Sequence, residues 1–160
     1  MDEQAKVKFT DDDGNVETLW AYALGNDRYR LDNTPWYAYR VSCGDVVEAR
    51  PSEPGDFPEF IRVVEKSGFR TLRLILKPPA DKAPESQAIL DQLLELGCAY
   101  EGAHPGYIAI DVPPTIDLEI IRQFLISTGQ EWEHADPKHE DLFPGVQHGE
   151  VRGRLQDRRG

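Results

Sequence analysis

The densest acidic run in the chain is Asp11-Asp12-Asp13-Gly14-Asn15, and carboxylates so close together could hold calcium. A calcium loop of the EF-hand kind needs oxygens at fixed offsets, Gly at its sixth position and a bidentate Glu at its twelfth. Counted from Asp11, Gly14 falls at the fourth position and Tyr22 at the twelfth, so the pattern fails. An exposed hairpin turn is expected there instead.

The segment Asp32-Asn33-Thr34-Pro35-Trp36-Tyr37-Ala38-Tyr39 is the most informative. Asp and Asn bond nearby backbone amides, and Pro restricts the turn. One reading is a rigid corner that positions the aromatics. The other is a binding site, with Asp32, Asn33 and Thr34 as polar contacts and Trp36, Tyr37 and Tyr39 as a stacking wall, since aromatics on rigid loops are favoured anchors. The two readings are compatible.

Other candidates are weaker. Asp45 follows Gly44 at a turn and has no visible partner. His134, His139 and His148, with Asp136 and Glu140, invite a metal reading, but their spacings of five and nine lack the tight Cys/His pairs of zinc sites. Cys43 and Cys98 form no Cys-x-x-Cys pair and no His is placed beside either, so two reduced thiols are expected. No nucleophile elbow, phosphate loop, dinucleotide fingerprint or H-E-x-x-H occurs. The expectation is a non-enzyme without cofactor or metal. Were there catalysis, Asp32, Asp45 and Glu101 would be its first candidates.

Two kinds of element must carry these residues. Short alternating stretches at Lys6–Thr10, Val16–Ala23, Arg28–Leu31, Val46–Ala49 and Glu59–Lys66, separated by Gly-marked turns, predict a small bent sheet or barrel. From Thr71 the period changes. A strand at Thr71–Lys77 precedes a helix at Glu85–Leu96, whose Ile89, Leu90, Leu93, Leu94 and Leu96 form an apolar stripe closed by Gly97. Strands follow at Cys98–Gly102 and Tyr107–Val112. A helix then starts at Thr115 or Asp117 and buries Leu118, Ile121, Phe124 and Leu125, and Glu131–His134 is a last strand. The fold class is α+β: a small β-barrel-like subdomain over residues 1–69 and a ferredoxin-like β-α-β-β-α-β subdomain over 70–135. With helices on one face, Arg73 and Tyr100 or Glu101 should mark a more polar second face. Residues 136–160 read as a partly mobile extension in which Leu142, Phe143 and Val146 could dock.

The stretch RYRLDNTPWYAYRVSCGDVVEA, with ETLWAYALG before it and FIRVVEKSGFRTLRLIL, LLELGCAYEG and IAIDVPPTIDLE after it, resembles a bacterial family of domains of unknown function, DUF4265. The resemblance spans roughly residues 5–134. It implies that the two halves travel as one unit and brings no activity with it. Cys43 and the 136–160 extension look peculiar to this chain.

Charge narrows the partners. The net charge is −11, and residues 1–135 hold 24 Asp and Glu against 13 Lys and Arg, while 136–160 hold five of each. Such a surface repels phosphate backbones and anionic membranes, so neither nucleic acid nor a membrane is expected. It suits a basic protein partner. The MDEQAKVKF start has no apolar stretch, and the expected location is cytoplasmic. The favoured function is an acidic protein-binding module, in its sharpest form an immunity or inhibitor protein that blocks a basic toxin. The alternative is a small-ligand-binding regulatory domain using a cleft near Asp32–Tyr39. Both suppose that the excess acid gathers beside that corner, with Trp36 the chief anchor.

Overall fold

The computed structural model describes residues 3–145. Five strands come first: β1 (Glu3–Thr10), β2 (Val16–Gly25), β3 (Arg28–Leu31), β4 (Val46–Pro51) and β5 (Pro58–Glu65). They form a closed barrel in sequence order, with antiparallel neighbours and a parallel closure where Lys8 meets Glu59. Alternation decides which side chains point in. Val7, Phe9, Leu19, Ala21, Leu31, Val47 and Ala49 fill the interior, and Phe9 stacks on Phe60 with centroids 4.8 Å apart. Trp20, between inward Leu19 and Ala21, stays 46% exposed on the outer wall, where the Lys6 ammonium lies 4.7 Å from its ring.

The second half runs β6 (Arg70–Ile75), α1 (Pro84–Glu95), β7 (Ala99–His104), β8 (Tyr107–Val112), α2 (Leu118–Thr128), β9 (Glu131–Asp136) and the short α3 (His139–Leu142). Its sheet has the order β7-β8-β6-β9 with antiparallel pairs throughout. Asp117 caps α2 by accepting from the Glu119 amide. Pro84 opens α1, where its missing N–H costs nothing. Gly97 ends α1 at φ +99, and a Cβ there would stand 2.9 Å from Ile116 Cδ1. Leu90 and Leu93 of α1 and Ile121 and Leu125 of α2 pack on Leu72, Leu74, Leu76, Ile108, Ile110, Val112 and Trp132. Both helices therefore cover one face of the sheet.

The other face departs from the expectation of a solvated polar side. Arg73 is 0% exposed, and Thr71, Ala109, Glu133 and Ala135 on its face are buried as well. The barrel and its Asn33–Gly44 connection cover them, which is why β8 and β9 are buried on both faces. Tyr100 packs against the helix-side core instead, and Glu101 alone of that pair faces the connection.

At the far end, Phe143 packs against His134 and His139, and the Arg122 guanidinium lies 4.7 Å from the Phe143 ring. Val146 and the end of the expected mobile extension lie outside the described residues. Both cysteines are free, and no helix among the described residues is long and apolar enough to cross a membrane.

Candidate binding site at the end of the barrel

The connection from Asp32 to Arg40 has no strand or helix of its own. Its backbone polar groups must find partners when it is buried. Its entry continues the β2 edge: the Asp32 amide donates to Trp20 O at 2.8 Å, and Asn33 Oδ1 accepts from the Trp20 amide at 2.7 Å. Tyr22 Oη donates to Asp32 Oδ2 at 3.3 Å.

Beyond the buried Thr34 and Pro35, two charges from opposite directions hold the chain. Glu17, at the start of β2 and 8% exposed, accepts from the amides of Trp36 (2.9 Å), Tyr37 (2.7 Å) and Ala38 (2.9 Å). Arg73, from β6, donates to the carbonyls of Pro35 (3.3 Å), Tyr37 (3.2 Å) and Ala38. The Arg73 guanidinium also lies 3.6 Å from Glu133 Oε2 and 4.9 Å from the Tyr39 ring centre. Tyr107 Oη donates to Trp36 O at 2.6 Å, Tyr39 Oη donates to Glu133 Oε2 at 2.7 Å, and the Arg40 amide donates to Ala135 O at 2.8 Å. Barrel and sheet thus hold the corner from both sides.

A second polar seam lies next to it. Asp45, 0% exposed, accepts from the Ser42 and Ser67 amides at 2.9 and 2.8 Å and from Lys66 Nζ at 2.5 Å. Lys66 Nζ also reaches Asp136 Oδ2 at 2.5 Å, and Ser42 Oγ donates to the same oxygen at 2.6 Å. The catalytic candidate Asp45 is thus one of several groups that join the two halves. The histidines form an aromatic group: the His134 and His139 rings lie 5.7 Å apart, and Arg122 Nε donates to His134 Nε2 at 3.1 Å. His148 lies outside the described residues, and among those described no group of side chains could hold a metal.

The corner divides the expected site residues between two places. Asp32, Asn33 and Thr34 turn toward Glu101, whose carboxyl is raised by burial against hydrogen bonds from Asn33 and the Thr34 backbone. Trp36 stays on that side, with Nε1 3.5 Å from Glu101 O. Tyr37 and Tyr39 instead line a hollow of about 190 Å³ beside the β1–β2 turn. Phe9, Phe60, Asp11, Asp12 and Glu17 complete its main walls, and no Lys or Arg is among the described residues that line it. Sequence reasoning missed Glu17, Phe9 and Phe60 here. The available signal was an acid at the first inward position of β2, next to a turn already rich in acids.

Asp111, on β8, is the other group that was missed. It is 9% exposed, and its Oδ1 is buried without a hydrogen-bond partner among the described residues. Burial, and after it the Glu101 charge, pushes this carboxyl up to about 6. In the unfolded chain it ionises near 3.8. As pH rises through about 4 the unfolded state releases this proton first, so a stability penalty grows and is complete above about 6. Two units correspond to roughly 3 kcal/mol. Asp111→Asn is therefore expected to be more stable than the parent above pH 6.5 by about 2–3 kcal/mol, with the gap closing below pH 4. Urea unfolding of both proteins at pH 3.5, 5 and 7.5 checks this, and a pH-independent difference contradicts it.

Neither thiol is poised as a nucleophile. Burial, then Asp111, Asp32, Glu101 and Asp45, pushes Cys43 up to about 12, and burial with Asp111 takes Cys98 to about 11. Both thiols stay protonated at neutral pH.

The profile of a family described as a domain of unknown function, DUF4265, matches residues 17–135. The chain belongs to the DUF4265 family. The span matched to DUF4265 starts at Glu17, includes Arg73, and ends at Ala135, whose carbonyl receives the Arg40 amide. It therefore holds both charges that fix the corner. No curated protein sequence matches this DUF4265 chain. A crystal structure of a hypothetical protein from Neisseria gonorrhoeae is similar in fold, with a TM-score of 0.63 over 86% of this chain and 96% of that one. At 16% identity this is a likeness of fold alone.

Proposed function

We propose that this DUF4265 protein is an acidic protein-binding module for a basic protein partner, and that the hollow beside Tyr37 is its recognition site. The carrying observation is that lining: aromatic rings and carboxylates, with no Lys or Arg among the described lining residues. The net charge of −11 adds long-range attraction. An immunity or inhibitor protein that blocks a basic toxin is the sharpest form of this reading, and a cytoplasmic setting goes with the two free thiols. We read the second half as ferredoxin-like, which the β-α-β-β-α-β order, the antiparallel β7-β8-β6-β9 sheet and the helices on one face support.

The expectation that the acids gather at one corner needs correction. Exposed carboxylates lie on both halves, among them Asp27 and Asp56 on the barrel and Asp81, Asp91 and Asp117 around the helices. Two acids that do reach the corner, Glu17 and Glu133, are bound there by its backbone amides and by Tyr39 and Arg73. Specificity is therefore assigned to the hollow and not to a single acidic face.

The test is capture of partners by the full chain from its own cell extract, then reconstitution with the purified basic partner. The association rate should fall roughly tenfold or more between 50 and 500 mM salt, because steering is screened. Salt-independent binding, or capture of acidic proteins only, contradicts the proposal. A small-ligand-binding regulatory domain is the second reading, since Tyr37 and Tyr39 do line a hollow. Its volume is below the roughly 300–1,000 Å³ of ordinary small-molecule sites, which places the protein reading first.

A further inference from the structure

We propose that Asp111 and Glu101 form a binding site for one primary ammonium group, on the side of the corner away from the Tyr37 hollow. Strand register places the two carboxyls. Asp111 of β8 stands opposite Ala99 of β7, and Glu101 of β7 stands opposite Ala109 of β8. All four side chains lie on the sheet face that meets the barrel, because Tyr100, Ile110 and Val112 alternate with them and take the helix side. The acids therefore hold one diagonal of a four-residue square, with Cα atoms about 7–8 Å apart. Alanine methyls hold the other diagonal and leave room between the acids. Ala109 is buried and Ala99 is exposed, so the square opens to solvent beside Asp111.

Asp111 itself is the observation that points to a ligand. It is 9% exposed, and its Oδ1 is buried with no hydrogen-bond partner among the described residues. The neighbours that could have answered it are committed elsewhere. Thr71, opposite on β6, shares its hydroxyl bond with Ser42. The Arg70 guanidinium, whose charge reaches Cys98, donates to the carbonyls of Pro113 and Ile116. Asn33 and the Thr34 backbone bond Glu101 instead. Buried acceptors are normally satisfied. One left unanswered beside a second carboxyl is best met by a donor that brings positive charge.

The geometry favours an ammonium over other cations. A metal ion takes several ligands at about 2.0–2.6 Å, and among the described residues no group of side chains could hold one. An ammonium makes hydrogen bonds of about 2.9 Å, so its acceptors can stand further apart. The alanine floor offers no ring for a guanidinium to stack on, and a compact charge with three donors suits it better. The charges that act here are mostly acidic. Glu101 acts on Asp111, Asp32 acts on Glu101, and Asp111, Asp32, Glu101 and Asp45 all act on the Cys43 thiol. Arg70 acts at Cys98 with the opposite sign. Burial, and after it the Glu101 charge, makes Asp111 ionise at about 6. It is therefore roughly one-tenth ionised at pH 5 and almost fully ionised at pH 7.5. The ionised carboxyl is the form that binds, so affinity is lost as pH falls through that value.

The test is an NMR titration of the full chain with butylammonium and with N-acetyl-lysine amide, which present the same charge as a free amine and as a protein side chain. Butanol, which lacks the charge, and tetramethylammonium, which lacks the N–H donors, are the controls. Butylammonium at pH 7.5 should give saturable shifts at the Asp111 and Glu101 carboxyl carbons and at the amides of Ala99 and Ala109, with a dissociation constant in the roughly millimolar range. Affinity should be about tenfold lower at pH 5. Asp111→Asn should weaken binding roughly tenfold or more at pH 7.5 and remove most of the pH dependence, and Glu101→Gln should weaken it as well. A response to both probes assigns the site to lysine side chains as well as free amines, and a response to butylammonium alone assigns it to a free amine. No saturable response to either probe overturns the proposal. An equal response to butanol or tetramethylammonium overturns it too, as does unchanged affinity in Asp111→Asn.

Discussion

Arg73→Met is expected to be the most damaging single change in this protein. Arg73 is fully buried, donates to the carbonyls of Pro35, Tyr37 and Ala38, and faces Glu133 at 3.6 Å. Met fills much of the same volume and supplies no donor. It leaves a 2% exposed carboxylate without its cation and three carbonyls without their donor. Breaking a buried pair from one side costs about 3–5 kcal/mol. In a domain of this size that lowers the thermal midpoint by roughly 10 °C. Chemical denaturation of Arg73→Met, Glu133→Gln and the double variant measures the coupling. The double variant should lose less than the sum of the singles. Strict additivity would mean that the two side chains do not act as a pair.

Glu17→Ala comes next, with an effect confined at first to the corner. Glu17 answers three successive amides, those of Trp36, Tyr37 and Ala38, at 2.7–2.9 Å. A buried donor left without a partner costs about 1–3 kcal/mol, and the loop can recover part of this by admitting water. The expected loss is about 2–4 kcal/mol in total stability. Its signature is local: amide exchange at Trp36, Tyr37 and Ala38 should accelerate far more than exchange in β6 or β8. Glu17→Gln keeps one acceptor oxygen and should lie between the two. Uniform acceleration across the chain would mean that Glu17 serves global folding and not the corner.

These two residues explain why the corner could be located in the sequence but not understood there. Asp32-Asn33-Thr34-Pro35 announces a turn by composition alone. The aromatics after it announce a surface worth positioning. Nothing local says that an acid 19 residues earlier and an arginine 36 residues from Tyr37 will hold it. In an alternating strand Glu17 reads like any polar position near a turn. Arg73 reads like the polar member of a half-solvated strand, which is how it was expected and how it differs.

What the sequence determined by itself was everything that rests on short-range physics. Alternation placed the five barrel strands in order, and the change to helical spacing after β6 placed both long helices. The sequence offered Thr115 or Asp117 as the start of α2, of which Asp117 is the cap, and Gly97 marked the end of α1. The quoted DUF4265 stretches all lie within the span the family matches. Tertiary structure alone decided three things. It turned the polar sheet face inward, separated Tyr37 and Tyr39 from Asp32, Asn33 and Trp36, and left Asp111 buried at the junction. The physical reason is common to all three. Burial of a charged or polar side chain depends on partners from distant chain, and whether those partners arrive is set by how the barrel docks on the sheet, which no window of neighbouring residues contains.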